Sequence, residues 1–248
     1  MTLRVFIGME TSGALRRRFQ SAGAEVISCD LFPAEDGGFG HIPGDVFETL
    51  HALFTAGWVP HIGVFHPTCT YHVTSAAWAF SEPDFNRYPG VGYHQKVKPG
   101  TLVGQARHRA REAAELDLEK IRLLPIKLKI AENPRGTIPT RTKWGPPADV
   151  VQPYEFGDDA SKTTCFWAFD ENGNLVPFTL PRDPAARVSG RWVDGKERWG
   201  NQTGGGYNKL GDYPDRWKDR SRTFPGIADA IVRRVMEALL DGPVISGQ

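Results

Sequence analysis

Cysteine is scarce in this chain of 248 residues, and the three that occur, Cys29, Cys69 and Cys165, lie far apart and form no Cys-x-x-Cys pair. This number and spacing argue against a disulfide framework and against a structural zinc site. The chain also lacks an apolar stretch near the ~20 residues that a membrane helix needs, and its start shows no signal-peptide cleavage region. The sequence therefore predicts reduced thiols, a cytoplasmic protein, and no membrane partner.

An excess of charge of one sign is missing as well. The 30 Lys and Arg residues are balanced by 29 Asp and Glu, which gives a formal net charge of +1. Global charge therefore neither favours nor excludes a nucleic-acid partner, and any such contact requires a local basic patch. No internal repeat is visible, and the length predicts one domain over residues 1–248.

The chain begins with the pattern of a βαβ unit. Residues 3–8 predict a buried strand, 14–23 a helix that ends at glycine, and 25–30 a second strand that ends at Asp30. A glycine-containing turn after the first strand and an acid after the second suit a nucleoside-containing ligand, whose ribose hydroxyls a carboxylate can bind. The alternative is an ordinary βαβ unit in which the glycines only make the turn.

Strand and helix patterns continue to alternate, which predicts an open α/β sheet. We expect a short strand or turn at 41–46, a helix at 47–58, a strand at 61–65, a helix at 102–124, strands at 126–131 and 162–169, and a helix at 225–239. Lysines alternate with apolar residues in 126–131, so this strand is expected to have one polar side. Stretches rich in Pro, Gly and polar residues predict loops at 81–104, 135–150 and 181–214.

Two of the predicted strands are followed by residues that can do covalent chemistry. His66-Pro67-Thr68-Cys69 follows the strand at 61–65, and Glu132-Asn133-Pro134 follows the strand at 126–131. Open α/β sheets bind their ligands at the carboxyl ends of the strands, and a thiolate there can act as a nucleophile. The alternatives are a buried, inert Cys69, or a Cys-His pair of a hydrolase formed with His66 or His72.

Together these motifs resemble the cytosine-C5 DNA methyltransferase family, and most closely its short, phage-type members that lack a large target-recognition domain. The resemblance rests on five features: the turn after the first strand, Asp30 at the end of the second strand, His-Pro-Thr-Cys, Glu-Asn-Pro, and a C-terminal stretch at 220–228. It implies a doubly wound, Rossmann-like methyltransferase fold that uses S-adenosylmethionine, with a reduced recognition region at 135–215. It also implies DNA as the partner, no obligate protein partner, and a bacterial or phage-infected cytoplasm.

The resemblance also implies roles for individual residues. Cys69 would add to carbon 6 of cytosine, and Glu132, as a carboxyl held partly neutral, would engage nitrogen 3. The residues implied for substrate binding are Pro67, Thr68, Asn133, Pro134, Arg141 and Lys162. Those implied for binding S-adenosylmethionine are Phe6, Gly8, Glu10, Thr11, Ser12, Gly13, Asp30, Leu31, Asp45, Val46 and His66. No metal ion is implied.

Three features depart from the family pattern. Thr68 stands where a proline usually precedes the cysteine, Glu10-Thr11-Ser12-Gly13 replaces a more glycine-rich turn, and a Gln-x-Arg-x-Arg strand is only echoed by residues 161–164. Two alternatives therefore stay open: an enzyme that acts on a free pyrimidine nucleotide or transfers a group other than methyl, and a DNA-binding relative without activity.

Other segments are expected to complete the site. Residues 71–104, with Tyr71, His72 and Trp78, are predicted to close over a base that has left the DNA stack. The basic face of the helix at 102–124, which includes Arg107, is either solvated or in contact with phosphates.

Overall fold

The computed structural model describes residues 2–82, 97, 100–211, 213 and 215–240. Most of the predicted loop at 81–104, namely 83–96, 98 and 99, lies outside the described residues. The helices are α1 (Ala14–Ser21), α2 (Val46–Thr55), α3 (Gly104–Leu123), α4 (Ile138–Arg141), α5 (Arg216–Ser221) and α6 (Pro225–Leu240). The strands are β1 (Arg4–Gly8), β2 (Glu25–Asp30), β3 (His41–Pro43), β4 (Ile62–Phe65), β5 (Leu128–Pro134), β6 (Asp149–Val151), β7 (Thr164–Asp170), β8 (Arg191–Val193) and β9 (Lys196–Arg198).

Seven strands form one sheet in the order β3-β2-β1-β4-β5-β7-β6. The first five in this order run parallel, whereas β7 is antiparallel to β5 and to β6. This strand order with one antiparallel strand is typical of the Rossmann-like methyltransferases that use S-adenosylmethionine, so the predicted fold class is confirmed. The order reverses between β1 and β4, and such a reversal opens a crevice at the carboxyl ends of the strands.

Each face of the sheet is covered by a pair of helices, because alternate residues of a strand point to opposite faces. On one face, Val5 and Ile7 of β1 pack with side chains of α1 and α6. On the other face, Phe6 packs with Phe65 and with side chains of α2 and α3. Phe6, which the sequence assigns to the cofactor, has no exposed surface.

Strand β5 differs from its prediction in two respects, namely where it ends and whether one of its sides is polar. The sequence places Glu132 in a loop after a strand, but β5 continues through Pro134, because it pairs with β7 along its whole length. The expected polar side of this strand is also wrong. Lys129 is completely buried, and its ammonium donates to the carbonyl oxygen of Leu124 at the C-terminal end of α3. A cation at this end of a helix compensates unpaired carbonyls.

The predicted loops at 135–150 and 181–214 contain regular structure. The first holds α4 and the start of β6, and the second holds the β8–β9 hairpin. Both elements are short, so they have little periodicity in the sequence. None of the helices in the described part of the chain combines the length and apolar content that a bilayer span requires.

Candidate functional site at the carboxyl ends of the parallel strands

The turn after β1 holds a carboxylate in place of a glycine-rich loop. Glu10 is 7% exposed, and its Oε1 accepts hydrogen bonds from the Ser12 hydroxyl at 2.5 Å and from the Ala14 amide at 2.8 Å. It thereby caps α1, which begins after Gly13 in a left-handed conformation with φ of 67°. The other oxygen, Oε2, is buried and has no hydrogen-bond partner among the described residues.

Two further carboxylates lie at the neighbouring strand ends. Asp30 ends β2, and its Oδ1 accepts from the Phe32 amide at 3.0 Å. Burial, and to a lesser extent the charge of Glu10, raises the pKa of Asp30. Asp45 follows β3 and caps α2, with its Oδ1 accepting from the Phe47 and Glu48 amides. This edge of the sheet is therefore acidic.

These acids suit S-adenosylmethionine. S-adenosylmethionine carries one carboxylate, and its ammonium, sulfonium, ribose hydroxyls and adenine amino group are cations or hydrogen-bond donors. The unpartnered Oε2 of Glu10 is an acceptor with no donor of its own, and a buried acceptor in this state is costly unless a ligand pairs with it. Leu31 and Phe32 beside Asp30 are 72% and 51% exposed, and Phe32 contacts the ring of Trp217 from α5 at a centroid distance of 5.5 Å.

The other residues that the sequence assigns to the cofactor differ in burial and in their hydrogen-bond partners. Thr11 and Ser12 bond to Glu35 and Glu10 respectively, and Gly8 and Val46 are buried. The main-chain N–H of His66 donates to the carbonyl oxygen of Gly8 at 3.0 Å, so the end of β4 is tied to the end of β1.

The loop that carries Cys69 is held by β5. The side-chain amide of Asn133, which is 1% exposed, donates to the carbonyl oxygen of Pro67 at 2.8 Å. Pro67 is buried and Thr68 is exposed, so Thr68 makes little contact with the core. Since β4 and β5 are adjacent and parallel, Cys69 and Glu132 emerge at the same edge of the sheet.

The residues after Cys69 are held by the segment that follows β5. The carbonyl oxygen of Cys69 accepts from the amides of His72 and Val73, and the carbonyl oxygen of His72 accepts from the Thr137 amide at 2.9 Å. Gly136 permits this contact, since a Cβ at that position would lie 2.2 Å from the His72 carbonyl oxygen. His72 is 1% exposed, so the prediction that it closes over a base is wrong.

Arg107 of α3 fixes the same loop from the other side. It is 3% exposed and donates to the carbonyl oxygen of Thr70 at 2.5 Å. Its guanidinium lies 5.3 Å from the ring centroid of Tyr71 and 5.1 Å from that of Phe80. The prediction of a solvated or phosphate-binding face is therefore wrong for this arginine, which is a structural clamp.

Burial raises the pKa of the Cys69 thiol, and the charge of Glu132 raises it further. Lys162, from the segment before β7, and Arg220, from α5, act in the opposite direction. The raised pKa favours the protonated thiol at neutral pH, so a nucleophilic step requires that its proton be removed.

Glu132 differs from its predicted state. It is 6% exposed, and burial alone would raise its pKa, but the hydrogen bond from His66 and the charge of Lys162 outweigh burial and lower it. The lowered pKa favours the ionised carboxylate, whereas the sequence predicts a carboxyl held partly neutral.

The structure separates the two basic residues assigned to the substrate. Lys162 acts on both Cys69 and Glu132, and its ammonium donates to the carbonyl oxygen of Arg222 at 3.2 Å. Arg141 instead forms an ion pair with Glu115 of α3 at 2.5 Å. Pro134 ends β5 beside Asn133.

Sequence reasoning missed Gly136, the structural role of Arg107 and the effect of the Arg220 charge on the pKa of the thiol. A buried arginine inside a basic helix has no local signature, because its neighbours Arg109 and Arg111 have the same charge. The signal for Gly136 is weak, since glycine next to Pro134-Arg135 also fits an ordinary loop.

Comparisons with protein-family models and with curated proteins found no match. Among solved structures, the chain is similar to a crystal structure described as a "putative DNA modification methyltransferase encoded within prophage", from E. coli. The TM-score is 0.40 and the sequence identity 14%, and the match covers 67% of this chain and 46% of that one. The chain thus matches less than half of the length of that protein, and the fold assignment rests on the strand order alone.

Proposed function

We propose that this protein transfers a methyl group from S-adenosylmethionine to carbon 5 of cytosine in DNA, through a covalent adduct with Cys69. The observation that supports this most directly is the shared position of Cys69 and Glu132. The two groups emerge from adjacent parallel strands, and the charge of the second acts on the pKa of the first. The acidic edge formed by Glu10, Asp30 and Asp45 lies at the ends of the neighbouring strands.

In this proposal Glu10, Asp30 and Asp45 hold the cofactor. The carboxylate of Asp30 would accept from ribose hydroxyls, that of Asp45 from the adenine amino group, and Oε2 of Glu10 from the ammonium. When bound, the cofactor supplies an electrophilic methyl group on a sulfonium.

Carbon 5 of cytosine is a poor nucleophile until the ring is saturated at carbon 6. The sulfur of Cys69 forms a bond to carbon 6, and the π electron pair between carbons 5 and 6 is displaced through carbon 4 to nitrogen 3. Nitrogen 3 takes up a proton, and the thiol has lost one. Because Glu132 is ionised at the start, it can accept the thiol proton and deliver it to nitrogen 3, which balances the step.

The adduct is then an enamine. Its carbon 5 would bond to the methyl carbon with the enamine π pair, and the electron pair of the broken methyl–sulfur bond would leave on the sulfur, which becomes a neutral thioether. Loss of the proton on carbon 5 to solvent restores the double bond between carbons 5 and 6, and the electron pair of the carbon–sulfur bond leaves with Cys69. Nitrogen 3 returns its proton to Glu132. The product is 5-methylcytosine and the thiolate takes up a proton again.

The substrate is proposed to be DNA because the reduced recognition region exposes aromatic and basic side chains together. Trp192 of β8 and Tyr207 after β9 are 73% and 77% exposed, and Lys196 and Lys209 are exposed in the same segment. Aromatic rings stack on unpaired bases and lysines pair with phosphates, so exposed side chains of these types suit a nucleic acid that is partly unstacked.

The test uses DNA that contains 5-fluorocytosine, in which the fluorine cannot leave carbon 5 as a proton does. With S-adenosylmethionine, the wild-type protein should form a covalent complex that survives denaturation, and Cys69→Ser should form none. Mass spectrometry of the complex identifies the modified peptide and the transferred group. Failure of the wild-type protein to form a complex, or a transferred group other than methyl, would contradict the proposal.

Free 5-fluoro-deoxycytidine monophosphate serves as the matched substrate. A complex with the free nucleotide and none with DNA would assign the chain to nucleotide modification instead.

A further inference from the structure

His66 and Glu132 form a buried pair beside Cys69. Nδ1 of His66 lies 3.3 Å from Oε2 of Glu132, and the two side chains are 9% and 8% exposed. A carboxylate can only accept a hydrogen bond, so Nδ1 carries the hydrogen and donates it. Among the described residues, the second ring nitrogen, Nε2, is buried and has no partner.

The backbone holds the imidazole in this position. The main-chain N–H of His66 donates to the carbonyl oxygen of Gly8, and the following residue is Pro67, which restricts His66 to an extended conformation. The carbonyl oxygen of Pro67 is in turn held by Asn133, the neighbour of Glu132. Both members of the pair are therefore attached to the same rigid edge, and neither can turn away easily.

Among the described residues, other charged or titratable groups near the pair come from the segment before β7, from β7, from the loop after β4 and from α5. Lys162 lowers the pKa of Glu132 from the segment before β7, and Cys165 of β7 lies close enough for the charge of Glu132 to raise its pKa. Cys69 follows β4, and Arg220 of α5 acts on its thiol. Lys162 is a cation at longer range, whereas His66 is the group hydrogen-bonded to the carboxylate.

We propose that His66 is a positioning residue that holds Oε2 of Glu132 through Nδ1–H, so that Oε1 is directed toward the Cys69 thiol and nitrogen 3 of the target base. This inference rests on the proposed function and extends it, since it assigns the proton transfer to one named oxygen. The imidazole does not touch the substrate. It fixes the ionised state and the orientation of the group that does.

Two variants of His66 test whether the position of the hydrogen-bond donor matters, as distinct from the size of the side chain. In His66→Asn the side-chain NH2 lies near the position of Nδ1, and in His66→Gln it lies near that of Nε2. His66→Asn should therefore keep the hydrogen bond to Glu132, and His66→Gln should lose it. We expect adduct formation with 5-fluorocytosine DNA to slow by about ten- to hundredfold in the Gln variant and by less than about fivefold in the Asn variant.

A second measurement needs no substrate. The carboxyl carbon of Glu132, assigned in the NMR spectrum with Glu132→Gln, should titrate at low pH in the wild-type protein and in His66→Asn, and at clearly higher pH in His66→Gln. A role in folding alone would not produce this difference between the two variants.

The outcomes separate the two claims. Equal Glu132 titration in the wild-type protein and both variants would overturn the role of His66, whatever the activity. Absence of a covalent complex in the wild-type protein would instead remove the proposed function, and the titration would still decide whether His66 controls the charge of Glu132. Similar adduct rates for the Asn and Gln variants, with a normal wild-type complex, would also overturn the inference.

Discussion

The side-chain amide of Asn133 donates to the carbonyl oxygen of Pro67, so the strand that carries the acid also holds the backbone of the loop that carries the thiol. Asn133→Asp replaces this donor with an acceptor that faces another acceptor in a buried site. We expect a loss of about 2–4 kcal/mol in the free energy of unfolding, measured with urea, and a slower covalent reaction.

Asn172→Asp is the matched control for this substitution, because Asn172 is exposed in the turn after β7. It should change the free energy of unfolding by less than about 0.5 kcal/mol. If both variants unfold at the same urea concentration, the hydrogen bond between Asn133 and Pro67 does not hold the loop.

The clamp formed by Arg107 gives a second prediction. Arg107→Met keeps part of the apolar volume but removes the hydrogen bond to Thr70 and the contacts of the guanidinium with Tyr71 and Phe80. We expect the variant to lose about 2–3 kcal/mol of stability and to show faster alkylation of Cys69, because its loop is freer. Arg109→Met on the exposed surface of α3 is the control, and equal alkylation rates in the two variants would refute the clamp.

Glu10 gives a prediction about the cofactor. Glu10→Gln keeps an acceptor for Ser12 and Ala14 but removes the negative charge near the proposed ammonium site. Calorimetry should show roughly tenfold weaker binding of S-adenosylmethionine and a much smaller change for adenosine, which has no ammonium. Glu25→Gln, at the opposite end of β2, should change neither affinity. An equal loss for both ligands would place the ammonium elsewhere.

Lys129 gives a prediction about pH. Burial lowers its pKa from 10.5 to about 8, so the native protein releases this proton before the unfolded chain does. The free energy of unfolding should therefore rise between pH 8 and 10.5, by up to about 3 kcal/mol. In Lys129→Met this rise should disappear, whereas Lys127→Met, on the exposed side of the segment, should retain it. Parallel stability curves for both variants would show that Lys129 is solvated.

The sequence predicts the parts of this fold in which each residue follows a strong local pattern. The strand at 25–30 matches β2 from end to end, and Asp30 stands at its tip as expected. The burial of Lys129 could not be predicted in this way. Lys127 and Lys129 alternate with apolar residues as lysines do in a half-exposed strand. The partner of the Lys129 ammonium, a carbonyl at the end of α3, is brought close only by the tertiary fold.

In the candidate site, too, some features follow from the local sequence and others depend on the tertiary fold. The positions of Cys69 and Glu132 at strand ends follow from the motifs, but the charge of Glu132 does not. It depends on the approach of His66, which is 66 positions away in the chain, and on a degree of burial that the short motif does not reveal. Arg141 shows the opposite case, since its charge suggests a phosphate contact but Glu115 already neutralises it.

The packing of α6 constrains the order in which parts of the protein can fold during synthesis. Ile227, Ile231 and Val235 fill the same core cluster as Leu15 and Phe19 of α1. α6 lies far along the chain from the first βαβ unit, yet it supplies part of the apolar cover of that unit. Until α6 has been synthesised, the apolar side chains on this face of the sheet therefore lack that part of their cover. A ribosome-bound chain that stops before residue 225 should consequently expose this face and bind chaperones.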